Sequence, residues 1–248
     1  MNSKKPGAPT TFVMVHSAWL GGWAWGSLAS FLEREGHKVI APDLPGHGGD
    51  KTPPSEVTLD AYVKTITDVL DAQRDPVILV GHSLGGIVIS QAAENRPDKV
   101  KSLVYLCAFL LPSGGSFMKA TEGVKGSMVL DNLVMGKDNA YVTVKDEVMH
   151  EAFAHDVPDD AFARAKSMIV PEPTAPLAAP LSITQEKWGR IPRYYVECLG
   201  DKAIPPAVQK AMYTSISVQK VFSMDTSHAP NFSAPQKLAE HLLAVAAE

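Results

Sequence analysis

Unbroken apolar runs alternate with amphipathic stretches along most of this chain. The first run, Thr11-Phe12-Val13-Met14-Val15-His16, has no polar interruption and predicts a strand buried on both faces. A loop with Gly21-Gly22 follows, then a helical pattern over residues 27–35 that Gly36 stops. His37-Lys38-Val39-Ile40-Ala41-Pro42 predicts the second strand, ended by Pro42 and the loop Asp43-Leu44-Pro45-Gly46-His47-Gly48-Gly49. Thr58 is placed to cap a helix whose apolar positions include Ala61, Ile66, Val69 and Leu70. Val77-Ile78-Leu79-Val80 predicts a third strand, residues 84–93 a helix, and residues 100–109 a fourth strand.

The alternation breaks near Leu111-Pro112-Ser113-Gly114-Gly115. Residues 112–188 are rich in Met, Pro and Ala, and Val170-Pro171-Glu172-Pro173-Thr174-Ala175-Pro176 cannot be regular helix. The stretch is too long for a loop and predicts a mainly helical cap inserted over the sheet. Alternation resumes with strands over 192–199 and 218–224 and helices over 206–215 and 235–247. The expected architecture is therefore one α/β domain over 1–248, a mostly parallel, doubly wound sheet of about six strands interrupted by the cap.

Composition narrows the partners. The chain has 248 residues, 45% hydrophobic, with a net charge of −4. No Lys/Arg cluster exceeds Lys4-Lys5, which argues against nucleic acid and anionic membrane surfaces. No run approaches the ~18 apolar residues of a membrane span. The polar start, with Pro6 and Pro9, lacks the apolar core of a signal peptide. Cys107 and Cys198 fall in apolar strand-like runs and read as buried free thiols rather than a disulfide, which fits a reducing cytoplasm.

The chemistry centres on Gly81-His82-Ser83-Leu84-Gly85. A Gly-x-Ser-x-Gly motif can be an ordinary turn with a solvated serine. Here a buried strand leads in and a helix leads out, the context of a nucleophile elbow. A serine hydroxyl needs a base. Of eight histidines, His37 and His241 read as solvated, His47 as structural, and His150 and His155 lack helical zinc spacing. His82 should point away from the Ser83 hydroxyl. His228 lies in the loop leaving the last strand, at the carboxyl edge of the sheet where such sites gather, and is the candidate base. Asp201, in the loop after the preceding strand, is the candidate to orient it, with Asp225 as rival. The Leu84 N–H, just past the serine, and the Ala18 N–H, in the loop after the first strand, are candidate oxyanion donors.

The order Ser83, Asp201, His228 is that of α/β-hydrolases, and the chain resembles that superfamily. Within it, the chain is similar to plant methyl esterases, hydroxynitrile lyases and bacterial carboxylesterases. The resemblance rests on residues 12–19, Gly22-Trp23-Ala24-Trp25, residues 41–48 and 81–86, Asp201-Lys202-Ala203-Ile204-Pro205 and Ser227-His228-Ala229-Pro230. It implies a serine carboxylesterase acting on small-molecule esters, with no cofactor and no metal, and an apolar pocket between cap and sheet. Ser17, Trp19, Phe109, Phe117, Met118, Met128, Phe153 and Trp188 are the candidate pocket residues, with plain core packing as the competing reading for each apolar one. Pairing into a homodimer is left open. Esterases of the group usually carry Gly where this chain has Ser17, and the lyases Thr or Asn, so a carbon–carbon lyase is one alternative. However, the lyases with Thr follow the catalytic His with Lys, where this chain has Ala229. A ligand receptor retaining the triad is the other alternative.

Overall fold

The computed structural model describes residues 9–248. The polar start that reads as lacking a leader therefore lies mostly outside the described residues. The first half of the chain forms β1 (Thr11–Val15), α1 (Gly26–Arg34), β2 (Lys38–Ile40), α2 (Leu59–Asp71), β3 (Val77–His82), α3 (Gly85–Asn95) and β4 (Val100–Leu106). Thr58 caps α2 as its position suggests, its hydroxyl accepting the Ala61 N–H at 3.1 Å.

Between β4 and the next strand of the main sheet lie α4 (Phe117–Thr121), β5 (Leu133–Met135), β6 (Tyr141–Val144), α5 (Met149–Phe153), α6 (Asp159–Lys166), β7 (Glu172–Pro173) and α7 (Thr174–Ala178). The chain then completes β8 (Arg193–Cys198), α8 (Pro206–Ser215), β9 (Lys220–Met224), α9 (Pro230–Ser233) and α10 (Pro235–Ala246).

The main sheet has six strands in the order β2-β1-β3-β4-β8-β9, and every neighbouring pair is parallel. Alternate side chains explain why its strands read as unbroken apolar runs. Phe12, Met14, Ile78 and Val80 face a core shared with Leu28 and Leu32 of α1 and Leu238 and Leu242 of α10. Val13, Val15 and Leu79 face the opposite core, with Ile66 and Leu70 of α2 and Val88 of α3. Each buried side chain of this size is worth about 1.5–3 kcal/mol. In β1 and in β3 up to Gly81, neither face leaves room for a polar position beyond the first residue.

The inserted segment holds more helix than strand, as its composition suggests, and also a small antiparallel sheet, β5-β6-β7, that the pattern did not reveal. These strands are two to four residues long, too short to show a period of two, and their turn passes through Asp138 and Asn139 in left-handed conformation. At the segment's end Glu94 of α3 accepts the Thr184 N–H at 2.8 Å, the Thr184 hydroxyl at 2.9 Å and the Trp188 N–H at 3.2 Å. These bonds outweigh burial and hold the Glu94 carboxyl below the usual range.

Candidate active site

Ser83 sits between β3 and α3 with φ of 53°, in the left-handed region that costs a non-glycine residue about 1–3 kcal/mol. The turn is held by the Ser83 N–H on Leu106 C=O (3.1 Å) and by the Gly86 and Phe109 N–H groups on Ser83 C=O (both 3.1 Å). The flanking glycines are required by contact. A Cβ at Gly81 would lie 2.6 Å from Gly85 O, and one at Gly85 would lie 2.7 Å from Val15 O. The Ser83 hydroxyl has no hydrogen-bond partner among the described residues.

His228 and Asp201 meet at 2.6 Å through Nδ1 and Oδ2, both side chains buried. Asp201 is fully engaged: Oδ1 accepts the Ala203 and Ile204 N–H groups at 2.7 and 2.8 Å, and Oδ2 also accepts Gln209 Nε2 at 2.9 Å. With Nδ1 committed to Asp201, Nε2 is the nitrogen left for chemistry. Asp225, the rival acid, makes no such contact.

His82 has a role the sequence did not reveal. Its Nε2 donates to the His228 C=O at 2.7 Å, and its ring lies 4.8 Å from the His228 ring, which brings adjacent Ser83 to the same corner. Burial, reinforced by His228, holds the His82 pKa well below the usual value, so it stays a neutral donor. His155 donates to Gly200 C=O at 2.9 Å, and Asp156 accepts the Ser227 N–H at 2.8 Å. The inserted segment thus grips both loops, the one leading to Asp201 and the one leading to His228.

The loop after β1 is held as firmly. His16 Nε2 accepts the Leu44 N–H (3.1 Å), so Nδ1 carries the proton and donates to Ser17 C=O (2.9 Å). Burial and nearby His47 lower the His16 pKa to about 3, which fixes it in this neutral form. Trp19, with φ of 65°, donates its N–H to Glu172 Oε2 (3.1 Å) and its indole N–H to Val142 C=O (2.9 Å), and accepts the Val170 N–H (3.0 Å). Between these anchors the Ala18 N–H has no acceptor among the described residues, and neither has that of Leu84.

A narrow cavity of about 50 Å³ opens beside His228, several times the ~10–15 Å³ that holds one water. Ser17, Ala18, Trp19 and Phe153 line it, together with Phe162, Ala165, Ile169 and Phe232, which the sequence reading missed. Phe162 and Ala165 stand at i and i+3 on α6, and Ile169 follows just past its end.

The other candidate pocket residues require correction. Trp188 is buried away from the cavity, its indole N–H on Tyr105 Oη (3.0 Å) and its ring under Arg193. Met118 is 50% exposed and shares a surface groove with Phe117. Phe109 packs edge-on against Phe117, and Met128 packs against the core. Helix α4, which carries Phe117 and Met118, lies over the core rather than beside His228, and helical patterning alone could not say which way it leans.

His82, Cys107 and His228 each bring a possible ligand atom within 4.8 Å of the others. Cys107 Sγ donates to the His228 C=O at 3.5 Å, which needs the thiol and not the thiolate a metal binds, and burial pushes that thiol up as well. The donor set does not fit a metal centre.

A parallel sheet with a strained Gly-x-Ser-x-Gly turn at one edge and a buried His–Asp pair beside it defines the α/β-hydrolase class. The alpha/beta hydrolase family model matches residues 12–241, and the chain belongs to this family. It is 34% identical over 240 residues to a pyrethroid hydrolase of Sphingobium wenxiniae, covering 93% of this chain and 85% of that protein. It is 33% identical to methylesterase 7 of Arabidopsis thaliana, covering 95% of each. The crystal structure of a pyrethroid hydrolase from Sphingobium faniae superposes with a TM-score of 0.88 at 31% identity, covering 96% of this chain and 98% of that one. No helix among the described residues is long and apolar enough to cross a membrane.

Proposed function

We propose that the chain is a serine carboxylesterase for small to medium, largely apolar esters. The observation that carries this reading is the 2.6 Å His228–Asp201 contact beside a strained Ser83 whose hydroxyl has no partner among the described residues. His228 Nε2 takes the Ser83 proton as Oγ attacks the ester carbonyl, then passes it to the leaving alkoxide. Water attacks the acyl-enzyme by the reverse route. Asp201 holds the tautomer and stabilises the imidazolium, and the free Ala18 and Leu84 N–H groups receive the developing oxyanion, each such donor being worth about 3–4 kcal/mol.

Trp19, Phe153, Phe162 and Phe232 around the cavity support an apolar, ring-bearing acyl or alcohol group. The relatives named a pyrethroid hydrolase and a methylesterase support hydrolysis, and the second supports an ester as its substrate. The free, buried Cys107 and Cys198 support a reducing compartment such as the cytoplasm. Turnover of p-nitrophenyl acetate and butyrate tests the reading. Folded protein should hydrolyse both, and Ser83→Ala should abolish nearly all of the rate. A folded sample inert to a graded ester panel, or one that releases cyanide from mandelonitrile while sparing esters, would contradict it.

A further inference from the structure

Glu172 is buried on β7, in the inserted segment, yet its contacts reach the main sheet's own loops and helix. Oε2 accepts both the Trp19 N–H (3.1 Å) and His47 Nε2 (2.8 Å), and Oε1 accepts the Tyr62 hydroxyl of α2 (3.0 Å). His47 Nδ1 in turn faces Pro45 C=O at 3.1 Å. A buried carboxylate is expensive unless paired, and this one has partners on three separate pieces of the fold.

The Trp19 N–H belongs to the peptide that follows Ala18. Its carbonyl end, Ala18 C=O, accepts the Ser17 hydroxyl at 3.1 Å. The preceding peptide, which carries the Ala18 N–H, is pinned by His16 on Ser17 C=O at 2.9 Å. Both peptides are therefore fixed, one from the β1 side by His16 and the other from the inserted segment by Glu172. Trp19 holds a φ of 65° that a tryptophan does not choose unaided.

We infer that Glu172 is a positioning residue: by holding the Trp19 N–H it aims the Ala18 N–H at the oxyanion, so docking of the inserted segment completes the oxyanion hole. The inference rests on the esterase reading. A donor misplaced by about 1 Å can lose on the order of 10²-fold in rate, so the loop's setting matters as much as its presence.

The test compares Glu172→Ala and Glu172→Gln with the unmodified protein on p-nitrophenyl butyrate. Gln keeps an acceptor oxygen for Trp19, and its amide can donate to the Tyr62 oxygen. Glu172→Ala should lower kcat at least tenfold with KM within about twofold, and Glu172→Gln should stay within about threefold of the unmodified kcat. Inhibition by an alkyl trifluoromethyl ketone reads the hole directly. Ser83 Oγ adds to its carbonyl carbon, the proton passes to His228, and the resulting oxyanion sits on the two N–H groups. That inhibition should weaken in proportion to kcat in Glu172→Ala.

A folded Glu172→Ala with unchanged kcat or unchanged ketone inhibition, a change confined to KM, or a Gln variant as slow as Ala would overturn the inference. If Glu172→Ala does not fold, the volume-filling Glu172→Met takes its place; failure of both to fold would make Glu172 a structural residue only and also overturn it. Absence of ester turnover in the unmodified protein removes the esterase reading itself, and is told apart because no variant is then needed to see it.

Discussion

Trp19, Ser83 and Cys107 hold left-handed backbone at the site edge of the sheet, and none is glycine. Only the strain at Ser83 was legible in the sequence, because Gly81 and Gly85 announce the close approach around it. Trp19 has a glycine on one side only, Gly21, and Cys107 on neither, and the Trp19 conformation is held by contacts from distant segments. His228 and Asp201 were legible from their places after strands. His82 was not, since its donation to the His228 carbonyl depends on a fold-level proximity of 146 positions in sequence. Asp201→Asn should lower kcat by a factor on the order of 10³–10⁴ while the protein stays folded, because the amide cannot hold the same His228 tautomer. Steady-state kinetics beside circular dichroism checks this. His82→Phe keeps the ring but removes the donor to His228 C=O. It should destabilise by about 1–3 kcal/mol in denaturant unfolding and slow turnover.

The elements of the main sheet could be read almost to their ends, since strands buried on both faces announce themselves as apolar runs and the helices between them carry one apolar stripe. The inserted segment was legible as an interruption and as a helix-rich piece. The three-stranded sheet within it was hidden by strand length. The direction in which α4 and α6 face was hidden as well, because a stripe says that a face is covered and not by what. For that reason the sequence offers Phe117 and Met118 as candidates for a wall that Phe162, Ala165 and Ile169 form instead. Glu94→Ala should cost about 2–4 kcal/mol, since three donors at the return of the segment lose a charged acceptor. Chemical denaturation measures that loss.

At the scale of the molecule, the inserted segment and the sheet hold the site jointly. Segment residues bond the loops that carry Trp19, Asp201 and His228, and the contact of Glu172 with His47 joins the two parts in their interior. Burial opposes charge on His47, but the Glu172 carboxylate outweighs it, and its pKa is raised. A histidine raised on folding contributes stability that is complete below the unfolded value near 6.5 and is lost as pH rises through the folded value. Unfolding free energy should therefore fall on going from neutral to alkaline pH, and His47→Gln should flatten that slope. Guanidinium titrations at several pH values would show it.

Ester hydrolysis by this chain depends on one activated hydroxyl, and active-site labelling reads that most directly. A fluorophosphonate should add a single adduct, mapped by peptide mass spectrometry to Ser83, and Ser83→Ala should not label. An adduct on any other residue, or undiminished labelling of Ser83→Ala, would contradict the assignment.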